Sequence, residues 1–345
     1  MLLCVLVLSS LTGCGTTYLL QAARGQWQVL AERRPIERVL ADPSTPPMLR
    51  RQLGEIQQAR QFASRELGLP DNRSYTTYAD LGRPFVVWNV VATPEFSVAP
   101  LQWCFPVVGC VAYRGYFREA AARRYAERLQ AAGRDVALGG VPAYSTLGRF
   151  ADPVLSSMLR YGDLETIGTL FHELAHQQFY LPGDSAFNEA FAVTVEQEGL
   201  VRWLRSRGRE AEIEEYRRRR ANQLEFVGLL RGARERLATA YARTGLDDAA
   251  RRAAKQRVLD DLVAQLRTLQ QRLGPERGAG VAAWLARDLN NAHLASVATY
   301  WDCVGGFERV LAGQGGNLPA FYAEVARLAK LPATARRARL CRVGP

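Results

Sequence analysis

The sequence predicts an α+β protein that is mainly α, and three observations carry that prediction. Apolar residues recur at helical spacing through most of the chain. A Val-, Phe- and Trp-rich stretch over residues 84–113 is punctuated by prolines, as short strands are. A long charged helical region is split by Gly245 into an antiparallel hairpin. With 345 residues, 48% hydrophobic and 23% charged, the chain can bury a large core and is neither disordered nor fibrous. No apolar run reaches the roughly 18 residues that a spanning helix needs.

The N-terminus, MLLCVLVLSSLTGC, is a short apolar run closing on Leu11-Thr12-Gly13-Cys14. That is the pattern of a bacterial lipoprotein signal, in which residues 1–13 are removed and Cys14 carries the lipid. A buried helix is the alternative, but Gly13 and Gly15 would break it. The expected mature chain is held to a membrane by an N-terminal lipid anchor and faces the periplasm. Gly15 in place of an aspartate after Cys14 favours the outer membrane. Cysteine use agrees with export: Cys104 and Cys110 bracket Pro106 and Gly109 in a short loop suited to a disulfide, and Cys303 and Cys341 remain as a further pair. The net charge of +11 favours anionic partners, but export argues against nucleic acid and leaves envelope polymers or simple solubility.

Between signal and motif, helices are expected over 18–41, interrupted at Pro35, and over 46–67. An amphipathic helix over 116–132 stops at Gly133, and two short strands flank Gly139-Gly140. A short helix begins at Asp152-Pro153. The motif helix runs over 163–180 with Asp163 as N-cap, and a loop, LPGDSA, leads to a helix over 187–207. These elements form one unit, 14–207. The charged hairpin occupies 208–273 and offers a surface for a protein partner. A C-terminal helical part, 274–345, completes the active-site cleft. The run Arg217–Arg220 lies beside Glu214 and Glu215 and reads as a solvated helix face.

The chemistry concentrates in FHELAHQQFYLPGDSAFNEAFA. His172 and His176, two of only three histidines, stand one helical turn apart and can point at one ion, with Glu173 beside them to reach a water on it. The opposite face, Ile167, Leu170, Phe171 and Leu174, is apolar, and a Zn2+ ion offsets the cost of burying the polar one. A catalytic zinc takes three protein ligands. His293 is remote in sequence, whereas Glu189 follows a Pro-Gly reversal at the start of the next helix and is the third ligand selected. Glu196, two turns further on the same face, would orient a ligand.

HELAHQ…FNEAFAVTVE resembles the gluzincin metallopeptidases, especially the aminopeptidase N group, with a shorter connection between the helices. A wider resemblance, through GCGTTYLLQAARGQ, FPVVGCVAYRGYF, GGVPAYSTLGRFADP, TLFHELAHQQFY, FNEAFAVTVEQEG and LNNAHLASVATY, is to a family of predicted bacterial aminopeptidases, many with lipoprotein signals. It implies a zincin-like core and peptide hydrolysis by a zinc-activated water, with Glu173 moving the proton. It also implies a Tyr or His donor for the oxyanion, among Tyr300, His293 and Tyr144, with Tyr300 preferred. GGVPAYSTLGRF would supply the edge strand that pairs with an extended substrate, so Tyr144 and, before the Tyr300 helix, Asn291 are substrate-binding candidates. That strand lacks the acidic residue that usually recognises a free amine; Glu196 and Asp302 are substitutes. The expected function is a zinc aminopeptidase of the cell envelope. The alternatives are a zinc endopeptidase, a cell-wall peptide hydrolase or an inactive binding scaffold.

Overall fold

The structure, a computed structural model, describes residues 14–105, 109–301 and 303–341, without the side chains of residues 14–17 and 298–301. The expected signal segment 1–13 and Asp302 lie outside the described residues, as do the side chains of Cys14 and Tyr300.

Helix α1 (Cys14–Ala31) ends before a two-residue strand, β1 (Arg34–Pro35), and the short α2 (Ile36–Ala41). Pro35 therefore separates two helices, as its missing N–H requires. Helix α3 (Pro47–Glu66) opens on Pro46-Pro47 and buries Leu53, Ile56, Ala59 and Ala63, a single stripe at helical spacing. The strand-rich stretch resolves into β2 (Thr77–Ala79), β3 (Val87–Pro94), β4 (Trp103–Phe105), β5 (Gly109–Val111) and β6 (Arg114–Tyr116). Helix α4 (Glu119–Ala131) precedes β7 (Arg134–Val141), and β8 (Val154–Leu155) precedes α5 (Ser156–Leu159).

Two expectations are corrected here. Gly139 and Gly140 do not divide two strands: they pair with Asn89 and Trp88 inside one continuous strand, β7. The segment after Asp152-Pro153 enters β8, parallel to β2, before its helix turn begins.

Among the described residues the strands form three small sheets: β1-β2-β8, the antiparallel β6-β3-β7, and the β4-β5 hairpin closed by the Cys104–Cys110 disulfide. Helix α6 (Asp163–Gln178) and α7 (Ser185–Ser206) follow. The charged region forms α8 (Glu210–Ala242) and α9 (Asp248–Arg277), with Gly245 at positive φ between them and Asp247 capping α9 through the Ala250 amide at 2.7 Å. The hairpin is expected to end at residue 273, and α9 kinks at Gly274-Pro275. Helices α10 (Ala279–Leu285), α11 (Asn291–Trp301), α12 (Val304–Gly313), α13 (Leu318–Ala329) and α14 (Ala333–Leu340) complete the chain.

The main core gathers α3, α6, α7, α12 and α13 around Phe171, Phe191, Phe307 and Phe321. Phe191 stacks on Phe321 with centroids 5.8 Å apart, and Phe187 meets Phe307 edge-on at 4.9 Å. The hairpin has its own core, including Leu230, Leu237, Leu262, Leu266 and Leu269. The C-terminal helices α12–α14 pack against the motif helices in this core. A second disulfide, Cys303–Cys341, ties the start of α12 to the end of α14.

Candidate metal centre

Helix α6 buries the predicted apolar face: Ile167, Leu170, Phe171 and Leu174 are all inaccessible to solvent. Its cap differs from expectation. Gly162 occupies the N-cap, with a φ of 100° that favours glycine, and Asp163 sits one residue inside. The Asp163 carboxylate instead accepts from Arg51 and, at 3.2 Å, from Gln52 Nε2, fastening α6 to α3.

The link from α6 to α7 is a tight reversal. Gly183 takes a positive φ, and Asp184 caps α7 by accepting from the Phe187 amide at 3.2 Å. Asn188 reaches back across the reversal. Its Oδ1 accepts from the Leu181 amide at 2.7 Å and its Nδ2 donates to the Leu181 carbonyl at 2.8 Å. Both backbone groups of Leu181 are thereby satisfied without a strand partner. The neighbouring residue, Glu189, is delivered to the histidines.

The donor atoms converge. His172 Nε2 lies 3.2 Å from His176 Nε2 and 3.3 Å from Glu189 Oε2, and His176 Nε2 lies 3.8 Å from Glu189 Oε1. Donors about 2.0–2.1 Å from a tetrahedral centre stand roughly 3.3–3.4 Å apart. Two imidazole nitrogens and a carboxylate at this spacing fit a zinc ion. The far side of His172 is fixed as well: its Nδ1 is 3.0 Å from Glu196 Oε2, which orients the ring and leaves Nε2 facing inward. His176 Nδ1 is buried and has no hydrogen-bond partner among the described residues.

Electrostatics agree with a cation-seeking cluster. Burial works against a charged His172, but Glu189 and Glu196 raise its pKa well above the usual imidazole value. Burial likewise opposes the Glu189 carboxylate, yet His176 and His172 hold its pKa down at about 2. Glu173 is pushed up by burial, and the two histidines only partly offset this.

These groups line a cavity of about 920 Å3. Its walls come from α1 (Tyr18, Leu19), from β5 and β6 with the residues just beyond them (Val111, Phe117), and from the loop after β7 (Tyr144, Phe150). Residues 17–340 match the model of a family described as "Putative aminopeptidase". The chain belongs to this putative aminopeptidase family. No curated protein and no solved structure matches it. The family name supplies a reaction class, removal of residues from the amino end of a peptide, and the remaining site residues can be placed against it.

Tyr144 lines the cavity as expected, but its hydroxyl donates to Gln26 on α1, and burial raises its pKa. The strand proposed to carry it ends at Val141, so the cavity wall from Pro142 to Leu147 is loop. Asn291 is corrected. It is fully buried, its Nδ2 donates to the Glu95 carbonyl at 2.8 Å, its amide donates to Asp135 Oδ2 at 2.9 Å, and its Oδ1 accepts from the Tyr241 hydroxyl at 3.0 Å. It pins α11 to the β3–β7 sheet and the hairpin, and it is not among the cavity-lining residues. His293 lies apart from the donors, in contact with Asn290 Oδ1 at 3.0 Å and lining a separate cavity. Tyr300 sits on α11, which contributes no described residue to the metal-site cavity.

Sequence reasoning missed α1 as a wall of the cavity, and it missed Tyr113 and Tyr180. Burial foremost, then the Glu189 charge, raises the pKa of both hydroxyls, so both stay protonated donors. Tyr113 lies between β5 and β6, and nothing in its local sequence aims it at the motif.

Proposed function

We propose that the chain is a zinc-dependent aminopeptidase. The observation that carries this reading is the convergence of His172, His176 and Glu189 on one point, with buried Glu173 on the same cavity wall. A Zn2+ ion held by these three residues would acidify water and polarise the scissile carbonyl. Glu173 accepts the proton of the attacking water and returns it to the leaving amine. Glu196 holds His172 in the orientation that presents Nε2. Tyr113 and Tyr180, on the cavity wall, offer neutral hydroxyls to the developing oxyanion alongside the expected Tyr300.

Charge favours the amino end of a peptide. Among the described residues lining the cavity, the charged side chains besides the histidines are Glu173, Glu189 and Glu196, with no lysine or arginine. With Glu189 given to the ion, Glu173 and Glu196 are the carboxylates left to attract an ammonium group. The apolar lining, with Leu19, Val111, Phe117 and Phe150, suits a bulky apolar first residue.

A peptide pool, half of it N-acetylated, tests the reading on zinc-loaded protein with Glu173→Gln as control. Stepwise loss of first residues from free peptides alone supports it. Cuts inside both halves would make the chain an endopeptidase instead.

The same reading includes export and lipidation at Cys14, which heads α1. Two disulfides support an oxidising compartment. Labelled palmitate should enter the protein and its membrane fraction, and Cys14→Ser should abolish both.

A further inference from the structure

Helix α1 is seated along one face. A Cβ at Gly25 would stand 2.1 Å from the Phe117 ring, and Val29 is fully buried, so this face lies against the protein. Gln21 fastens it further: its Nε2 donates to the Gly115 carbonyl at 3.4 Å, and its Oε1 accepts from the Phe117 amide at 3.2 Å. Tyr18, Ala22 and Gln26 line the metal-site cavity.

The outer face, opposite Gly25 and Val29, is of another kind. Leu20 is 69% exposed and Trp27 73% exposed, with Ala31 exposed beyond them. Residues at spacings of seven and eleven stand about two and three helical turns apart, so these three form one apolar stripe. Among the described residues only seven large hydrophobic side chains are exposed, and Leu19, Leu20 and Trp27 concentrate three of them on this helix. Another is Phe150. Leu19 and Phe150 both line the metal-site cavity and are both exposed, so they mark its mouth. The stripe and the mouth are therefore neighbours. Helix α1 carries Arg24, which is exposed, and no Asp or Glu.

We propose that the outer stripe of α1 is a lipid-binding surface, on which Leu20 and Trp27 enter the headgroup boundary and hold the cavity mouth beside the membrane. The inference rests on the lipidation reading in one respect, that Cys14 at the head of α1 stands at the membrane. At a rise of 1.5 Å per residue, Leu20 lies about 9 Å along the helix from Cys14 and Trp27 about 20 Å. An upright helix would carry Trp27 away from the lipid. A helix lying flat brings Leu20, Trp27 and Ala31 to the surface together, as an interfacial helix requires. The amphipathic indole ring suits the headgroup level, and Arg24 at the edge of the stripe meets lipid phosphates. No carboxylate on α1 opposes that contact.

The test removes the tether. Residues 14–345 with Cys14→Ser cannot be lipidated, and α1 is kept whole. This protein is floated with vesicles of phosphatidylethanolamine and phosphatidylglycerol. It should rise with them, and Leu20→Ser combined with Trp27→Ser should lower its partition coefficient by about tenfold or more. Brominated acyl chains should quench Trp27, read as the difference from Trp27→Phe, which keeps an apolar side chain and still floats. Neither Leu20 nor Trp27 lines the cavity, so the double variant should keep its melting temperature and its hydrolysis of a soluble peptide. Protein that stays off the vesicles would overturn the proposal, as would flotation that the double variant leaves intact. So would a dimer in sedimentation that the double variant dissociates, since the stripe then binds a second copy of the chain. Stripe-dependent flotation of a protein that hydrolyses no peptide would keep the surface and sink the aminopeptidase reading. The same flotation, with no palmitate entering the unmodified chain, would keep the surface and sink the lipidation reading.

Discussion

Arg336, on the last helix, holds the carboxylate that starts the Glu189 helix: its Nε and Nη2 both donate to Asp184 Oδ2, at 2.9 and 2.6 Å. The other oxygen of Asp184 caps α7, and both side chains are only 9% exposed. Breaking a buried pair by removing one partner strands the other charge and costs about 3–5 kcal/mol. Asp184→Ala should therefore lower the urea midpoint sharply. Because α7 carries Glu189, it should also weaken zinc binding, as read by competition with a chelating dye. Arg336→Met keeps the cap and should show the stability loss with a smaller effect on the metal.

Glu173→Gln removes the proton carrier while keeping the shape of the side chain. Hydrolysis should fall by about 10²–10⁴-fold. Zinc content by atomic emission should remain one per chain, because Glu173 is not among the converging donors. Full activity in this variant would remove Glu173 from the reaction.

Glu196→Gln should leave the fold intact and weaken zinc binding by about 10–100-fold through the loss of its hold on His172. Zinc itself should raise the melting temperature of the unmodified protein, since a ligand bound only by the native state stabilises it. Glu189→Ala should remove most of that rise.

His293 carries a pH prediction. Burial, then Arg287, lowers its native pKa to about 4, whereas an unfolded histidine titrates near 6.5. Between those values the unfolded chain binds more protons, so stability falls as pH drops from about 6.5 toward 4, by up to about 3 kcal/mol. The loss is complete below both values and absent above the higher one. His293→Gln should flatten the difference in urea midpoint between pH 7 and pH 4.5.

The convergence of His172, His176 and Glu189 was legible because local spacing sets it: a helical turn separates His172 from His176, and a Pro-Gly reversal returns Glu189. The hairpin was legible because Gly245 and Asp247 are local stop and start signals. Asn291 was misread because its partners, Glu95, Asp135 and Tyr241, come from three distant elements and leave no trace beside it. Arg219 and Arg220 were read with Arg217 and Arg218 as one solvated face. Successive helical residues point about 100° apart, so a run of four cannot share a face. The wall formed by α1 depends on where an N-terminal helix docks, which its own sequence does not encode.

The Arg336–Asp184 pair also bears on the order in which the protein matures. Its partners are 152 residues apart, and the later one lies on a helix held at Gly306, where a Cβ would stand 2.0 Å from the Leu340 carbonyl. A ribosome making this chain releases both histidines and Glu189 long before Arg336. Until that arginine arrives, the cap of α7 lacks its counter-charge. Final seating of the helix that carries Glu189 is thereby coupled to the arrival of the last helix.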